Sequence, residues 1–298
     1  FSVEAGLRLI RERARLMQSL PEGGAMATLA GAAAQAEALL VGADERLAIA
    51  AINGPRATVL SGPATALDEL LQRAEAQGLR ARRLRVSHAF HSPLMDPICA
   101  RFAEVVASVE LRPPSIPLIS NLDGREVGDA VTRPDYWILH LRRPVAFARG
   151  VASLAETGVD NFLEIGPQPT LVALGRECAP AASPAARGRW LASLRPGRVD
   201  GEAMFAALAE LWTAGVEVDL RALDAGRDRR LVAAPTYPFQ RRSLWLTLGD
   251  AGWDRSGLAP VRGPETRHPL LGRRHPSPAA VREFTARIAA RSPQYLAD

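Results

Sequence analysis

The sequence predicts an α/β fold: helices flanking a mainly parallel sheet, with a small inserted unit and a linker region behind it. Three observations predict this. Residues 25 to 86 alternate apolar runs and helical patterns in β-α-β-β-α-β order, the split ferredoxin-like pattern. Residues 87 to 178 alternate helices with strands, which argues for parallel pairing. After Cys178 the composition shifts to Ala, Pro and Ser, as in a linker.

Each element has its own signal. Glu4 to Met17 sets Leu7, Ile10, Ala14, Leu16 and Met17 on one side of a helix, which Pro21-Glu22-Gly23-Gly24 ends. Ala25 to Ala30 is an apolar strand, Ala32 to Leu40 a helix, and Leu47 to Ile52 a strand. Asn53-Gly54-Pro55 turns the chain into a β-branched run at Thr58 to Leu60. Ser61 reads as the N-cap of a helix carrying Leu67, Leu70, Leu71 and Ala74 on one face and stopping at Gly78. Arg80 to Val86 alternates charged and apolar residues, as a half-buried strand does. Helices follow at Met95 to Ser108, Asp135 to Leu141, Val145 to Glu156 and Thr170 to Arg176, with strands at Ile116 to Ser120 and Asn161 to Ile165. Gly201 to Trp212 is amphipathic through Met204, Phe205, Leu208 and Leu211, and Pro235 to Phe239 is extended by its two prolines.

Composition narrows the function classes. Hydrophobic residues are 47% and charged residues 23% of 298, an ordinary globular balance with enough apolar material for a core. No apolar run approaches the roughly 18 to 20 residues of a membrane-spanning helix. All 37 basic residues are Arg, and the net charge is only +5. They are spread along the chain and aromatics are 5%, unlike the clustered, aromatic-laced stripe of a nucleic-acid binder. Two cysteines without a CxxC pattern argue against a disulfide framework or a Cys-based zinc site, and point to a reducing, cytoplasmic setting. The chain opens at Phe1 inside a helical pattern, so it is expected to be a piece of a longer polypeptide.

Two of the five histidines stand in Ser87-His88-Ala89-Phe90-His91-Ser92-Pro93, just after the last strand of the small unit. Strand-end loops of α/β enzymes carry reactive groups, and a histidine there can act as a base near neutral pH. A surface histidine bonded to backbone has the same spacing. So does a metal site on His88, His91 and Asp96, although no second ligand pair supports it. No G-x-S-x-G elbow occurs in these 298 residues to supply a nucleophile.

Several motifs occur together in a set order: Leu9-Ile10-Arg11-Glu12-Arg13-Ala14-Arg15-Leu16-Met17-Gln18, Gly24-Ala25-Met26-Ala27, Ala51-Ile52-Asn53-Gly54-Pro55 with Ser61-Gly62, and His88-Ala89-Phe90-His91-Ser92. Ser120-Asn121, Tyr136-Trp137 with His140-Leu141-Arg142-Arg143-Pro144-Val145, and Phe162-Leu163-Glu164-Ile165-Gly166-Pro167 complete the series. In this order and spacing, Phe1 to about Cys178 resembles the C-terminal two-thirds of the malonyl-CoA:acyl-carrier-protein acyltransferase family. More narrowly, it resembles the acyltransferase domain of a modular type I polyketide synthase. Pro235 to Arg241 with Trp245 resembles the linker that follows such domains. His268-Pro269-Leu270-Leu271-Gly272 resembles the first strand of a hot-dog dehydratase.

The resemblance implies a partial hydrolase-like α/β layer, residues 1–24 and 87–180, with an inserted ferredoxin-like subdomain at 25–86. A linker would occupy 181–247, and linker plus dehydratase start 248–298. The implied activity is transfer of malonyl from malonyl-CoA to the phosphopantetheine thiol of an acyl carrier protein through a serine acyl-enzyme. His91 would be the base, oriented by the main-chain carbonyl of His140. Arg13 would grip the malonyl carboxylate. Phe90, with His88 beside it, would select malonyl over methylmalonyl by crowding the α-carbon. No bound cofactor or metal is implied. The implied partners are the carrier protein and the neighbouring ketosynthase and dehydratase. The family's serine elbow and glutamine strand would lie before Phe1, so this chain alone is expected to be inactive and poorly stable. A non-catalytic segment bracing neighbouring synthase domains is the alternative class.

Overall fold

A computed structural model describes residues 1–226, 232–241, 271, 273, 274, 282, 284 and 285. The chain divides into two units, Phe1–Arg227 and Asp228–Asp298. In the first, Ser2 opens helix α1 (Val3–Gln18) by accepting the Ala5 N–H on its Oγ at 3.2 Å. That satisfies one of the amides orphaned at a helix start. Leu9 and Leu16 form its buried side, and Leu20 joins the same core just after its end.

Residues 24–83 form a four-stranded antiparallel sheet. The elements are β1 (Gly24–Leu29), α2 (Ala33–Leu40), β2 (Ala48–Gly54), β3 (Ala57–Pro63), α3 (Ala64–Ala76) and β4 (Ala81–Arg83). The strand order is β2-β3-β1-β4, so each helix crosses over to a non-adjacent position. Alternation along the strands covers both faces. Ala25, Ala27, Leu29, Leu60 and Ala81 face α2 and α3, packing on Leu39, Leu67 and Leu70. Met26, Ala50, Ala51 and Val59 face the other way and receive Phe90 and Val145. Burying a Leu fully contributes about 1.5–3 kcal/mol, so this side-chain layer dominates the unit's stability. Ser61 is not an N-cap: it lies inside β3, and Pro63 precedes α3. The strand extends further because Gly62 and Ser61 pair with Ala25 and Met26.

A short 3-10 turn (Pro93–Met95) leads into α4 (Asp96–Ala107), which packs through Ile98 and Phe102 against α1 and α5 (Pro134–Arg142). The strand expected at Ile116 to Ser120 is reduced to one bridge, Ile119 to Glu126. Pro113, Pro114 and Pro117 remove donors around it, and Ile116 is 75% exposed. After α5, Val145 docks on β2, donating to the Ala50 carbonyl and accepting from Ile52, both at 2.9 Å.

Helix α6 (Phe147–Glu156) is followed by β5 (Asn161–Glu164), α7 (Thr170–Cys178), α8 (Pro184–Arg187), β6 (Arg189–Ala192) and α9 (Asp200–Thr213). β5 and β6 form the parallel pair, with Phe162 stacked on Trp190 at 3.8 Å between centroids. The boundary expected at 180 therefore falls between two paired strands. The Ala/Pro/Ser run around residue 183 reads as a linker, but Trp190-Leu191-Ala192 behind it is buried, with Trp190 packed on Val151 and Ala155 of α6. Glu164 accepts the N–H groups of Thr170, Leu171 and Val172 at 3.1, 2.8 and 2.8 Å, a carboxylate cap on α7. In α9 the small residues Ala203 and Ala207 are buried, whereas Met204 and Phe205 are exposed, the reverse of the expected apolar face. Small side chains let a helix approach a strand closely, and α9 contacts β6.

In the second unit, Tyr237 and Phe239 meet edge-on at 5.2 Å, and β7 (Arg273–Arg274) pairs antiparallel with β8 (Phe284–Thr285). Trp245 and the dehydratase-like segment from His268 lie almost entirely outside the described residues, as does His275.

Candidate active site

The loop from Ser87 to Met95 is built tightly against the sheet. A Cβ on Gly24 would stand 2.5 Å from the Ala89 nitrogen, so only glycine lets β1 run beneath the loop. Ser92 is fully buried; its Oγ donates to the Ala89 carbonyl at 2.6 Å and accepts the Leu94 N–H at 3.3 Å. These bonds close a turn that holds His91 at φ +56°. It is the one non-glycine residue with positive φ among those described. Such backbone costs about 1–3 kcal/mol and persists only where surrounding contacts over-determine it.

His91 Nδ1 lies 2.9 Å from the Arg143 carbonyl oxygen. A carbonyl only accepts, so Nδ1 carries the proton and Nε2 keeps its lone pair, the form a base needs. Burial pushes this imidazole down to about 4; the bond to Arg143 opposes the shift, and the charge of Arg13, with that of His140 when it is protonated, adds to it. The ring is neutral at physiological pH. The orienting carbonyl is therefore that of Arg143 and not, as expected, that of His140. His140 sits in the last turn of α5, whereas Arg143 follows it in extended conformation (φ −88°, ψ 161°), which turns its carbonyl out of the helix. Pro144 is the sequence signal, since the residue before a proline is held extended.

Arg13 stands on α1 between Leu9 and Leu16, on the side facing the core. Its Nε is buried and has no hydrogen-bond partner, and among the described residues no carboxylate pairs with it. Burial lowers its pKa, yet a guanidinium stays charged. Arg13 lines a narrow cleft with Leu9, Ile10, Phe102, Trp137 and His140. Trp137 and His140 also border a groove of about 420 Å³ beside it. The His140 side chain thus faces the cleft, where burial and Arg13 lower its pKa. Trp137, which the sequence offered only as part of a motif, supplies the cleft's aromatic wall and donates its Nε1–H to the Val131 carbonyl at 2.8 Å.

Phe90 packs on two cores at once, the helical one around Leu9 and Met95 and the sheet face of Met26 and Val59. His88 is buried, with Nδ1 2.8 Å from the Ser87 Oγ and Nε2 3.3 Å from the Leu20 carbonyl. Both its nitrogens are committed to the protein, so it fixes the loop against the end of α1 rather than presenting a polar group to a substrate. His88, His91 and Asp96 do not form a ligand set: each is engaged elsewhere, Asp96 with Arg142.

Comparison with known proteins bears on this geometry. The family described as "Acyl transferase domain" matches residues 1–218. This chain belongs to the acyl transferase domain family. Polyketide synthase GfsB of Streptomyces halstedii is 41% identical over 278 residues, 91% of this chain and 5% of that protein. The phenolphthiocerol synthesis polyketide synthase Pks15/1 of Mycobacterium bovis is 39% identical over 295 residues, 97% of this chain and 13% of that protein. The chain thus spans a small part of these relatives' length. Among solved structures, the acyltransferase domain from the second module of the salinomycin polyketide synthase superposes with a TM-score of 0.72 at 39% identity. It covers 80% of this chain and 55% of that one. The acyl transferase match ends at 218, beyond the boundary expected at 180 and after the β5–β6 pair and α9.

Proposed function

We propose that this acyl transferase segment carries the base and the carboxylate grip of a malonyl transferase acting in a type I polyketide synthase. The observation that carries the reading is Arg13: a half-buried guanidinium with an unpartnered Nε, near a neutral imidazole. Burying even part of a charge without a counter-ion is costly, and an anion supplied by a ligand would offset that cost. A malonyl carboxylate fits, because a guanidinium can hold it through two parallel hydrogen bonds.

In this reading His91 Nε2 takes the proton of a serine hydroxyl contributed by polypeptide outside these 298 residues. The oxygen attacks the malonyl thioester carbon, the C–S bond breaks, and coenzyme A leaves as its thiol. In the second half-reaction His91 deprotonates the phosphopantetheine thiol of an acyl carrier protein, whose sulfur takes the malonyl group and frees the serine. Phe90, wedged between two cores and unable to retreat, crowds an α-methyl group. The sheet of residues 24–83 is then a ferredoxin-like subdomain inserted into a hydrolase-like layer, with ketosynthase and dehydratase as neighbours and no bound cofactor. The chain acts only together with the segment that brings the serine. A segment that merely braces neighbouring domains has no use for a half-buried guanidinium without a counter-ion.

Arg13→Ala in the full-length polypeptide tests the reading, with transfer to the carrier protein measured from malonyl-CoA and from acetyl-CoA. Selective loss of the malonyl reaction is expected. Equal loss of both would count against carboxylate binding.

A further inference from the structure

The contact that orients His91 does not stand alone. Five residues after His91, Asp96 begins α4; one residue before Arg143, Arg142 ends α5. Arg142 Nε donates to Asp96 Oδ1 at 2.6 Å. Two short segments, 91–96 and 142–143, are thus tied at both ends, by His91 to Arg143 and by Arg142 to Asp96. Two tethers between the same segments cooperate, because each holds the other's partners at high effective concentration. The Arg142 and Asp96 side chains are 31% and 59% exposed, so the pair adds little to global stability.

We propose that Asp96 and Arg142 are a positioning pair that seats the His91 ring against the Arg143 carbonyl. The pair acts through geometry and not through charge. Its task is to hold the left-handed turn at residue 91, whose backbone tends to relax. The inference rests on His91 being the base for its use, but its test does not.

The test is the pH dependence of His91 carbethoxylation by diethyl pyrocarbonate, read residue by residue by mass spectrometry. The reagent takes only neutral imidazole. The charged or titratable groups acting on the ring are Arg13 from α1 and His140 from α5, and every variant below keeps both. The wild-type midpoint is expected at about 4. In Asp96→Asn and in Arg142→Ala the freed ring gains solvent, and the midpoint rises by about one unit or more toward the ordinary value near 6.5. Simple electrostatics predicts the opposite sign for Asp96→Asn, because removing a carboxylate lowers a histidine pKa. Arg142→Lys, which can still pair with Asp96, is expected to keep the low midpoint. An unchanged or lowered midpoint in Asp96→Asn overturns the proposal. So does exposure of the buried His88 together with His91, which marks general loosening. A shifted midpoint, combined with full transfer activity in a His91→Ala full-length polypeptide, would leave the positioning pair standing and remove the base assignment instead.

Discussion

The sheet of residues 24–83 and the layer around β5 and β6 solve the same burial problem to different degrees. The four-stranded sheet has a complete inner face: Leu60 is 0% exposed, and α2 and α3 cover its neighbours. The two-stranded parallel pair leaves Leu163, Ile165 and Leu171 exposed, with Ile165 at 83%, and α1 presents Val3, Leu7 and Ile10 to solvent. The residues of the proposed site belong to neither core alone. His91 and Phe90 leave β4 on a loop seated on the antiparallel sheet, while Arg13 and Trp137 come from α1 and α5, which share a helical core with α4, and the Arg143 carbonyl from the residue just after α5. The well-covered sheet thus supports the loop through Phe90, and the helical core brings the Arg13 charge to it.

The largest effect that sharpens this contrast is in stability. Leu60→Ala should cost about 2–5 kcal/mol, as for a core Leu with no room to relax. Ile165→Ala should change stability by less than about 0.5 kcal/mol. Urea unfolding of the two variants measures both; equal losses would erase the distinction between the regions. Next is Glu164→Ala, which strands three amides at the start of α7 and should cost about 1–2 kcal/mol, with Glu164→Gln recovering part of it. An unaffected Glu164→Ala variant would show that α7 needs no cap.

A third prediction concerns pH. The folded His91 ionises at about 4 and its unfolded counterpart near 6.5. Between those values the unfolded chain binds more protons, so stability falls as pH drops from about 6.5 to about 4 and is unaffected by this residue above that window. His140, lowered by burial as well, acts in the same direction. His91→Gln should flatten the decline; the same slope in wild type and variant would place the neutral ring elsewhere. The smallest effect is in selectivity. Phe90→Ser in the full-length polypeptide should raise methylmalonyl relative to malonyl loading by about tenfold, within the 1–3 kcal/mol that one methyl group commands.

How much of this was legible beforehand varies with how local its cause is. The β-α-β-β-α-β order could be read because each element carries its own period and its own Gly or Pro stop, as at Gly23-Gly24 and Gly78. β6 could not, since Trp190-Leu191-Ala192 is too short to show a period and gains its strand only by pairing with β5. Ser61 misled because Ser-Gly-Pro is as good a helix start as it is the end of a paired strand. The site residues His91 and Arg13 were named from motif order, and nothing in the spacing alone separates Arg13 from the other arginines of α1. Its distinction is tertiary: it shares the helix side of Leu9 and Leu16 and so is drawn into the core. The resemblance points to the His140 carbonyl, three residues before the one that orients His91, because motif order carries no backbone geometry; the local signal is Pro144, which holds Arg143 extended.

The most direct measurement is malonyl transfer from malonyl-CoA to a carrier protein by the full-length polypeptide carrying His91→Ala. With a neutral, Arg143-oriented imidazole as the base, the rate should fall by about a thousandfold or more, and the wild-type acid limb should lie near pH 4 instead of near 6.5. Retained transfer in that variant, with an unchanged pH profile, would contradict the account.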